Sequence, residues 1–327
     1  MPLDPAVLRN ALADGGTLDT LDGRFDALGK RYSGKVRENF SRGDERLIVV
    51  TDRVSAFDVV LGTIPFKGQV LNRLAQHWFE LSADVMPGHV IDVPDPQATR
   101  AIECTPIPVE MVVRGYLTGS SSTSILHAYS SGARTFCGHA LPEGLRPHER
   151  LEAPLLTPST KAAKGAHDES VSKDVLFERG LIDPETFATL EANVMKLFAF
   201  GQAEAAKRGL ILVDTKYELG RAPDGRIVLI DEIHTPDSSR YWYADTYAQA
   251  MSKGEAPRAL DKEFLRRWLV SKGFRGDGAP PPLSAEIRTE AANRYVELFE
   301  QLTGRAFEAD AEPPQQRLAR NLGVAEA

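Results

Sequence analysis

The stretch DTKYELGRAPDGRIVLIDEIHTPDSSRYW, Asp214 to Trp242, decides the fold. It reads as a β-hairpin, with apolar residues alternating on either side of a Pro-Asp-Gly turn. Side chains alternate along a strand, so Asp214, Lys216 and Glu218 share one face, while Ile211, Val213, Tyr217 and Leu219 share the other. The return strand RIVLI is apolar on both faces, as expected of a strand covered on both sides. Charges along such a hairpin must be paired or bind an ion. Two carboxylates with a lysine on such a face suit a Mg²⁺–phosphate site, because Mg²⁺ takes one or two carboxylates and completes its shell with phosphate and water. Glu218 and Asp231 share a face only if paired positions of the hairpin sum to an odd number. A four-residue connection, Ala222 to Gly225 with Arg221 opposite Arg226, would provide this; a three-residue Pro-Asp-Gly loop would need a bulge.

After the hairpin, Asp237, Ser238, Ser239 and Arg240 offer hydroxyls and a guanidinium suited to a phosphate or carboxylate. Taken alone, this tetrapeptide reads equally as a turn capped by Asp. Upstream, SGKVRENF places Ser33-Gly34 at a turn, with Lys35 and Arg37 two residues apart on one strand face. Glycine lets backbone N–H groups approach phosphate oxygens, and two cations could neutralise a triphosphate. GxxxxGK[ST] is absent, so this is no Walker A loop. RGYLTGSSS from Arg114 and TPSTK from Thr157 repeat the pairing of a cation with small hydroxyl residues. One such segment is a solvated loop; three of them beside a carboxylate pair indicate a site for several anions. TDRVSAFD, with Asp52, Arg53, Ser55 and Asp58, follows an apolar strand and reads as a tied-down turn.

Elsewhere the periodicity predicts helices over Pro5–Ala13, Gly68–Ala83, Asp183–Arg208, Asp261–Lys272 and Ala285–Leu302. Asp183-Pro184-Glu185 starts the third as N-cap, first-turn proline and first-turn acid. IPVEMVVRGY reads as a strand crossing between two lobes, divided as 1–112, carrying the phosphate loop, and 113–327, carrying the substrate and metal site and the C-terminal helices.

The composition is that of a soluble globular protein: 327 residues, 42% hydrophobic and 26% charged. A net charge of −7 argues against a nucleic-acid partner. No stretch is long and apolar enough to span a membrane, and the N-terminus lacks a signal-peptide pattern. Cys104 and Cys137 lie far apart without metal or redox spacing, which suits reduced thiols in the cytoplasm. No GxSxG, Cys/His nucleophile or GxGxxG pattern is present, so chemistry through ATP is favoured over a protein nucleophile.

As an ordered set, SGKVRENF, VVTDRVSAFDVV, IPFKGQVLNRLAQHWFE, VEMVVRGYLTGSS, LTPSTKA, GLILVDTKYELG and LIDEIHTPDSSRYW resemble the phosphoribosylaminoimidazole-succinocarboxamide synthase (SAICAR synthase) family of purine biosynthesis. The resemblance covers roughly Tyr32 to Tyr243. It implies an α+β, two-lobed fold around a cleft, related to ATP-grasp enzymes and distantly to protein kinases. It implies an ATP- and Mg²⁺-dependent ligase that joins the carboxylate of carboxyaminoimidazole ribonucleotide (CAIR) to the amine of L-aspartate through a carboxyl phosphate. By the same resemblance, Ser33, Gly34, Lys35 and Arg37 hold ATP phosphates, and Arg37 stands where some members have a second lysine. Met111 and Val112 offer the backbone to adenine, and Glu218 and Asp231 hold Mg²⁺. Arg114, Ser120, Asp214, Lys216, Ser239 and Arg240 face the ribonucleotide, with Thr160 and Lys161 on the substrate side and Lys216 and Asp214 in catalysis. The partners implied are small molecules, with monomer and homo-oligomer both open. Two rivals remain on sequence grounds. A kinase leaving phosphate on a small molecule would show the same cations, and a non-catalytic nucleotide-binding module need not keep the whole set.

Overall fold

The computed structural model describes residues 3–325 apart from 14, 58, 120, 122, 162–168, 261 and 262. Ser120, Asp58 and the middle of the loop after Lys161 therefore lie outside the described residues. Two antiparallel sheets organise the rest. The first runs in the order Lys30–Ser33, Arg37–Arg42, Glu45–Val50, Ala98–Ile102, Val90–Asp95. The second is built on the long strand Leu210–Arg221, which pairs with Val109–Tyr116, Ile227–Ile230, Ser239–Tyr243 and Thr105–Pro106. Arg150–Leu156 and Ser159–Thr160 extend it beyond Val109–Tyr116.

The helix Pro184–Lys207 begins as its sequence predicts, with the Asp183 carboxylate accepting the Thr186 N–H at 2.8 Å. Its buried residues Phe187, Leu190, Val194, Leu197, Phe198, Gly201 and Ala205 recur every three to four positions, so one stripe faces the second sheet. Glycine at position 201 is forced by packing. A Cβ there would sit 2.4 Å from the His234 ring, which outweighs the roughly 1 kcal/mol that glycine costs inside a helix. Lys67–Leu81 packs on the first sheet and against the tail helix Ala285–Thr303. Of the predicted tail helices, the first spans Glu263–Ser271; a further one, Pro314–Asn321, was not anticipated. Among the described residues no helix is long and apolar enough to cross a membrane.

Three features differ from the sequence expectation. The hairpin ladder pairs Glu218 with Ile230, Leu219 with Leu229 and Arg221 with Ile227, positions whose sums are even. Ala222 N–H also donates to Arg226 O at 2.8 Å, closing a three-residue Pro-Asp-Gly loop. The four-residue, odd-register connection is therefore overturned, and a continued strand would turn Asp231 away from Glu218. Instead the ladder ends at Ile230, and Asp231 takes φ of 70°, a left-handed conformation that redirects its side chain. Second, the pairing with Ser239–Tyr243 shifts between Leu212 and Asp214. This bulge changes the strand's phase, so Leu212 joins Tyr217 and Leu219 in the main core while Ile211 and Val213 pack with Tyr116 and Trp242. Third, the chain leaves the first sheet at Ile102 and enters the second at Thr105. The crossing lies at Glu103–Cys104, and a division at 112 would cut the strand Val109–Tyr116. The sheets also meet directly at His89, whose N–H donates to Leu229 O (2.9 Å) and whose carbonyl accepts from Ile102 N–H (2.8 Å).

Candidate active site

A cavity of about 380 Å³ lies where the sheets meet. Gly34, Lys35 and Arg37 of the first sheet's turn line one side, and Lys216, Glu218 and Asp231 the other. Lys161 also reaches it, forming an ion pair with Glu218. Ile48, Ile102, Cys104, Pro106 and Ile230 give the cavity an apolar wall.

The turn at Gly34 is shaped by its own backbone, Gly34 N–H donating to Arg37 O at 2.8 Å. Arg53 braces it from beneath, donating to Lys35 O (2.8 Å), Gly34 O (3.1 Å) and the buried Glu38 (2.8 Å). Ser33 lies within the expected loop, and its hydroxyl donates to Glu38 at 2.5 Å. Burial alone would raise the Glu38 carboxyl; Ser33 and Arg53 outweigh this and hold it below its usual range.

Across the cavity the charges interlock. Lys216 donates to Glu218 (2.7 Å) and to Glu110 (2.8 Å), which occupies the same face because Val109–Tyr116 pairs Val112 with Lys216. Arg37 pairs with Asp231 (2.8 Å) and Glu232 (2.9 Å). Burial works against the charge on Lys216, but Glu218 and Glu110 hold the ammonium above its ordinary range. Burial would also raise Glu218, yet Lys216 and Lys161 bring it down to about 2. Asp231 is pushed up to about 6, by burial first and then, against the pull of Arg37, by repulsion from Glu218 and Glu232. Glu218 and Asp231 thus line one cavity. Among the described residues no group of three or more His, Cys, Asp or Glu could hold a metal. Two carboxylates facing an open cavity still fit Mg²⁺, whose remaining ligands come from phosphate and water.

Further along the same strand face, Asp214 accepts from Arg240 at 2.5 Å and from Arg114 at 3.4 Å, and Arg114 Nε donates to Thr157 Oγ1 at 2.9 Å. The pairing of Asp214 with both Arg114 and Arg240 in adjacent strands brings these three residues, distant in sequence, together.

Other sequence-predicted residues are placed differently. Val109–Tyr116 is an interior strand, paired on both sides. Met111 is fully buried, and Val112 O accepts from Thr157 N–H at 2.8 Å, so neither offers a free backbone edge to adenine. Ser239 Oγ bonds Thr215 Oγ1 at 2.7 Å, and Thr160 Oγ1 accepts Glu169 N–H at 3.3 Å; both hydroxyls serve the local fold. Sequence reasoning gave no role to Glu110 or Glu38, and it placed Asp237 in the turn after the hairpin without its partners. Glu110 could have been found by pairing VEMVV with DTKYE on matching faces; Glu38 is set by Arg31, Ser33 and Arg53 within the first lobe, and Asp237 by Lys67 and Tyr295, far away in sequence.

Residues 30–281 match the family model for SAICAR synthetase. The chain is 46% identical over 305 residues to the phosphoribosylaminoimidazole-succinocarboxamide synthase of Cytophaga hutchinsonii, covering 91% of this chain and 96% of that one. It is 44% identical over 311 residues to that of Flavobacterium psychrophilum, covering 94% and 97%. Its fold resembles the Saccharomyces cerevisiae SAICAR synthase complexed with SAICAR (TM-score 0.76, 28% identity, 90% of this chain and 100% of that one). It also resembles a SAICAR synthetase in complex with ADP (TM-score 0.64, 25% identity, 86% and 100%). A family match over most of the chain and close relatives covering nearly all of it lead to one conclusion: this chain belongs to the SAICAR synthetase family.

Proposed function

We propose that the cavity carries out the family's ligation, the ATP-dependent condensation of CAIR with L-aspartate to give SAICAR, ADP and phosphate. One observation carries the reading. A single strand face presents Glu218 and Lys216 to the phosphate loop and Asp214 to Arg114 and Arg240, so two anionic ligands can be held end to end. Lys35, Arg37 and the Gly34 turn take the ATP phosphates. The apolar wall at Ile102–Pro106, where the lobes connect, takes the base in place of Met111 and Val112. Arg114 and Arg240 hold the ribonucleotide's anionic groups, with Asp214 fixing both guanidiniums.

Carboxylates are poor acyl donors. Transfer of the γ-phosphoryl group to the CAIR carboxylate makes phosphate the leaving group; the aspartate amine then attacks the acyl carbon, and the C–O bond to phosphate breaks. Both steps call for positioning and charge neutralisation rather than a protein nucleophile. Glu218 and Asp231 would hold Mg²⁺, which when bound neutralises charge on the transferring phosphate. Lys216, kept cationic by Glu218 and Glu110, would face the same phosphate. In solution this enzyme should release ADP from ATP and CAIR only when L-aspartate is present. ADP formation at full rate without aspartate would indicate a kinase and overturn the ligase reading.

A further inference from the structure

The tail helix Ala285–Thr303 touches both lobes. Toward the first, Arg288 donates to Thr63 O (2.8 Å) and Thr63 Oγ1 (3.0 Å), and the helix packs along Lys67–Leu81. Toward the second, Gln301 donates to Arg208 O at 2.6 Å, and the Tyr243 hydroxyl bonds Glu297. At its centre three parts of the chain converge on one carboxylate. Lys67 Nζ donates to Asp237 Oδ2 at 2.9 Å, and the Tyr295 hydroxyl donates to Asp237 Oδ1 at 2.8 Å. The Lys67 ammonium also lies 5.6 Å from the centre of the Tyr295 ring. The Lys67 side chain is fully buried, and Asp237 is 7% exposed.

A buried ion pair is weak evidence of stability, because desolvation offsets its attraction; its best-attested use is to fix one arrangement. What it fixes here is the segment between the two halves of the site. Asp237 itself lines the cavity that holds Lys35, Arg37 and Lys216. Its neighbour Ser238 accepts the Lys216 N–H through its carbonyl (3.0 Å), and Thr235 in the same turn bonds Glu232, the partner of Arg37. Arg240 follows three residues after Asp237.

We propose that Lys67 and Tyr295 are positioning residues. Through Asp237 they hold the turn that joins the cavity to the cluster of Asp214, Arg114 and Arg240, which makes the tail helix part of the working site. This rests on the ligase reading above. If the turn shifts, the acyl phosphate is no longer aligned with the aspartate amine. Water can then attack the acyl carbon, the bond to phosphate breaks, and CAIR carboxylate, phosphate and a proton are released without SAICAR. The ratio of ADP formed to SAICAR formed reports this loss of alignment, and it does not depend on how much of the enzyme is folded.

Tyr295→Phe removes a single hydroxyl and Lys67→Met removes the cation. With ATP, CAIR and L-aspartate, the ratio should be one for the parent enzyme and rise at least twofold in both variants. Should Lys67→Met fail to fold, Tyr295→Phe carries the test alone. A ratio that stays at one, with only a loss of folded enzyme, would overturn the positioning role while leaving the ligase reading intact. Aspartate-independent ADP release by the parent enzyme would instead remove the reading on which it rests.

Discussion

Replacing Arg53 with Met tests whether the phosphate loop is held from beneath. Arg53 is 10% exposed and meets Glu38, which is 1% exposed. It also donates to the carbonyls of Lys35 and Gly34, so one guanidinium closes the loop's underside. Breaking a buried pair by removing one partner costs about 3–5 kcal/mol, since the remaining charge stays buried. Glu38 would keep Ser33 at 2.5 Å and Arg31 at 3.2 Å, which places the expected loss near the lower end, about 3 kcal/mol. Freed carbonyls at Gly34 and Lys35 let the turn relax, and a tenfold weaker grip on nucleotide corresponds to about 1.4 kcal/mol. Urea unfolding measures the first quantity and calorimetric titration with ADP the second. Arg53→Lys, which keeps the charge but not the fork of donors, should fall between the two. Destabilisation below about 1 kcal/mol would refute the buried-pair argument. An ADP affinity within twofold of the parent, despite the full loss of stability, would show that Arg53 braces the fold and not the loop.

Arg114→Ala and Arg240→Ala each remove a charge-assisted contact worth about 1.5–3 kcal/mol, so KM for CAIR should rise roughly tenfold to a hundredfold while KM for ATP changes little. Equal losses toward both substrates would make them general cleft residues. Burial depresses His89 to about 4 and His234 to about 3, so their neutral forms support the fold fully above about pH 6.5 and lose that support as pH falls toward those values. Each should contribute up to about 1.4 kcal/mol of lost stability per pH unit below 6.5, and His89→Gln should show a shallower decline in urea midpoint between pH 6.5 and 4.5 than the parent. Asp231→Asn keeps a residue that tolerates the left-handed backbone but removes the charge; SAICAR formation should fall roughly a hundredfold or more. Because the Asp231 carboxyl lies at about 6, above its usual value, its ionised form opposes folding at neutral pH, and the variant should be no less stable than the parent by urea unfolding.

Much of the fold was readable because it rests on local patterns. The Asp183 cap, the apolar stripe of Pro184–Lys207 and the alternation in Asp214–Glu218 are properties of segments shorter than thirty residues, and the structure has them where the sequence places them. The misplaced crossing between sheets has a different origin. VEMVVRGY and RLIVVTD look alike as apolar strands, and only long-range pairing shows that the first is interior to the second sheet. Glu103–Cys104, which does cross, carries no distinctive pattern.

The charged residues of the cavity were readable for a related reason: a buried strand tolerates charge only where something compensates it, so Lys216 and Glu218 stand out against their apolar neighbours. Parity failed at Asp231 because it assumes that a strand continues. The ladder's even register should have separated the two carboxylates, yet one left-handed residue past its end brings Asp231 into the cavity of Glu218. Aspartate is one of the few side chains that visit this conformation readily, and the other charged partners, Arg37 and Lys216, are arranged to receive it there. A conformation that costs strain and places a carboxylate against two others is not what stability alone would select. The proposed Mg²⁺–phosphate site would account for it: the left-handed turn at Asp231 puts two carboxylates on one cavity from a hairpin whose register would separate them.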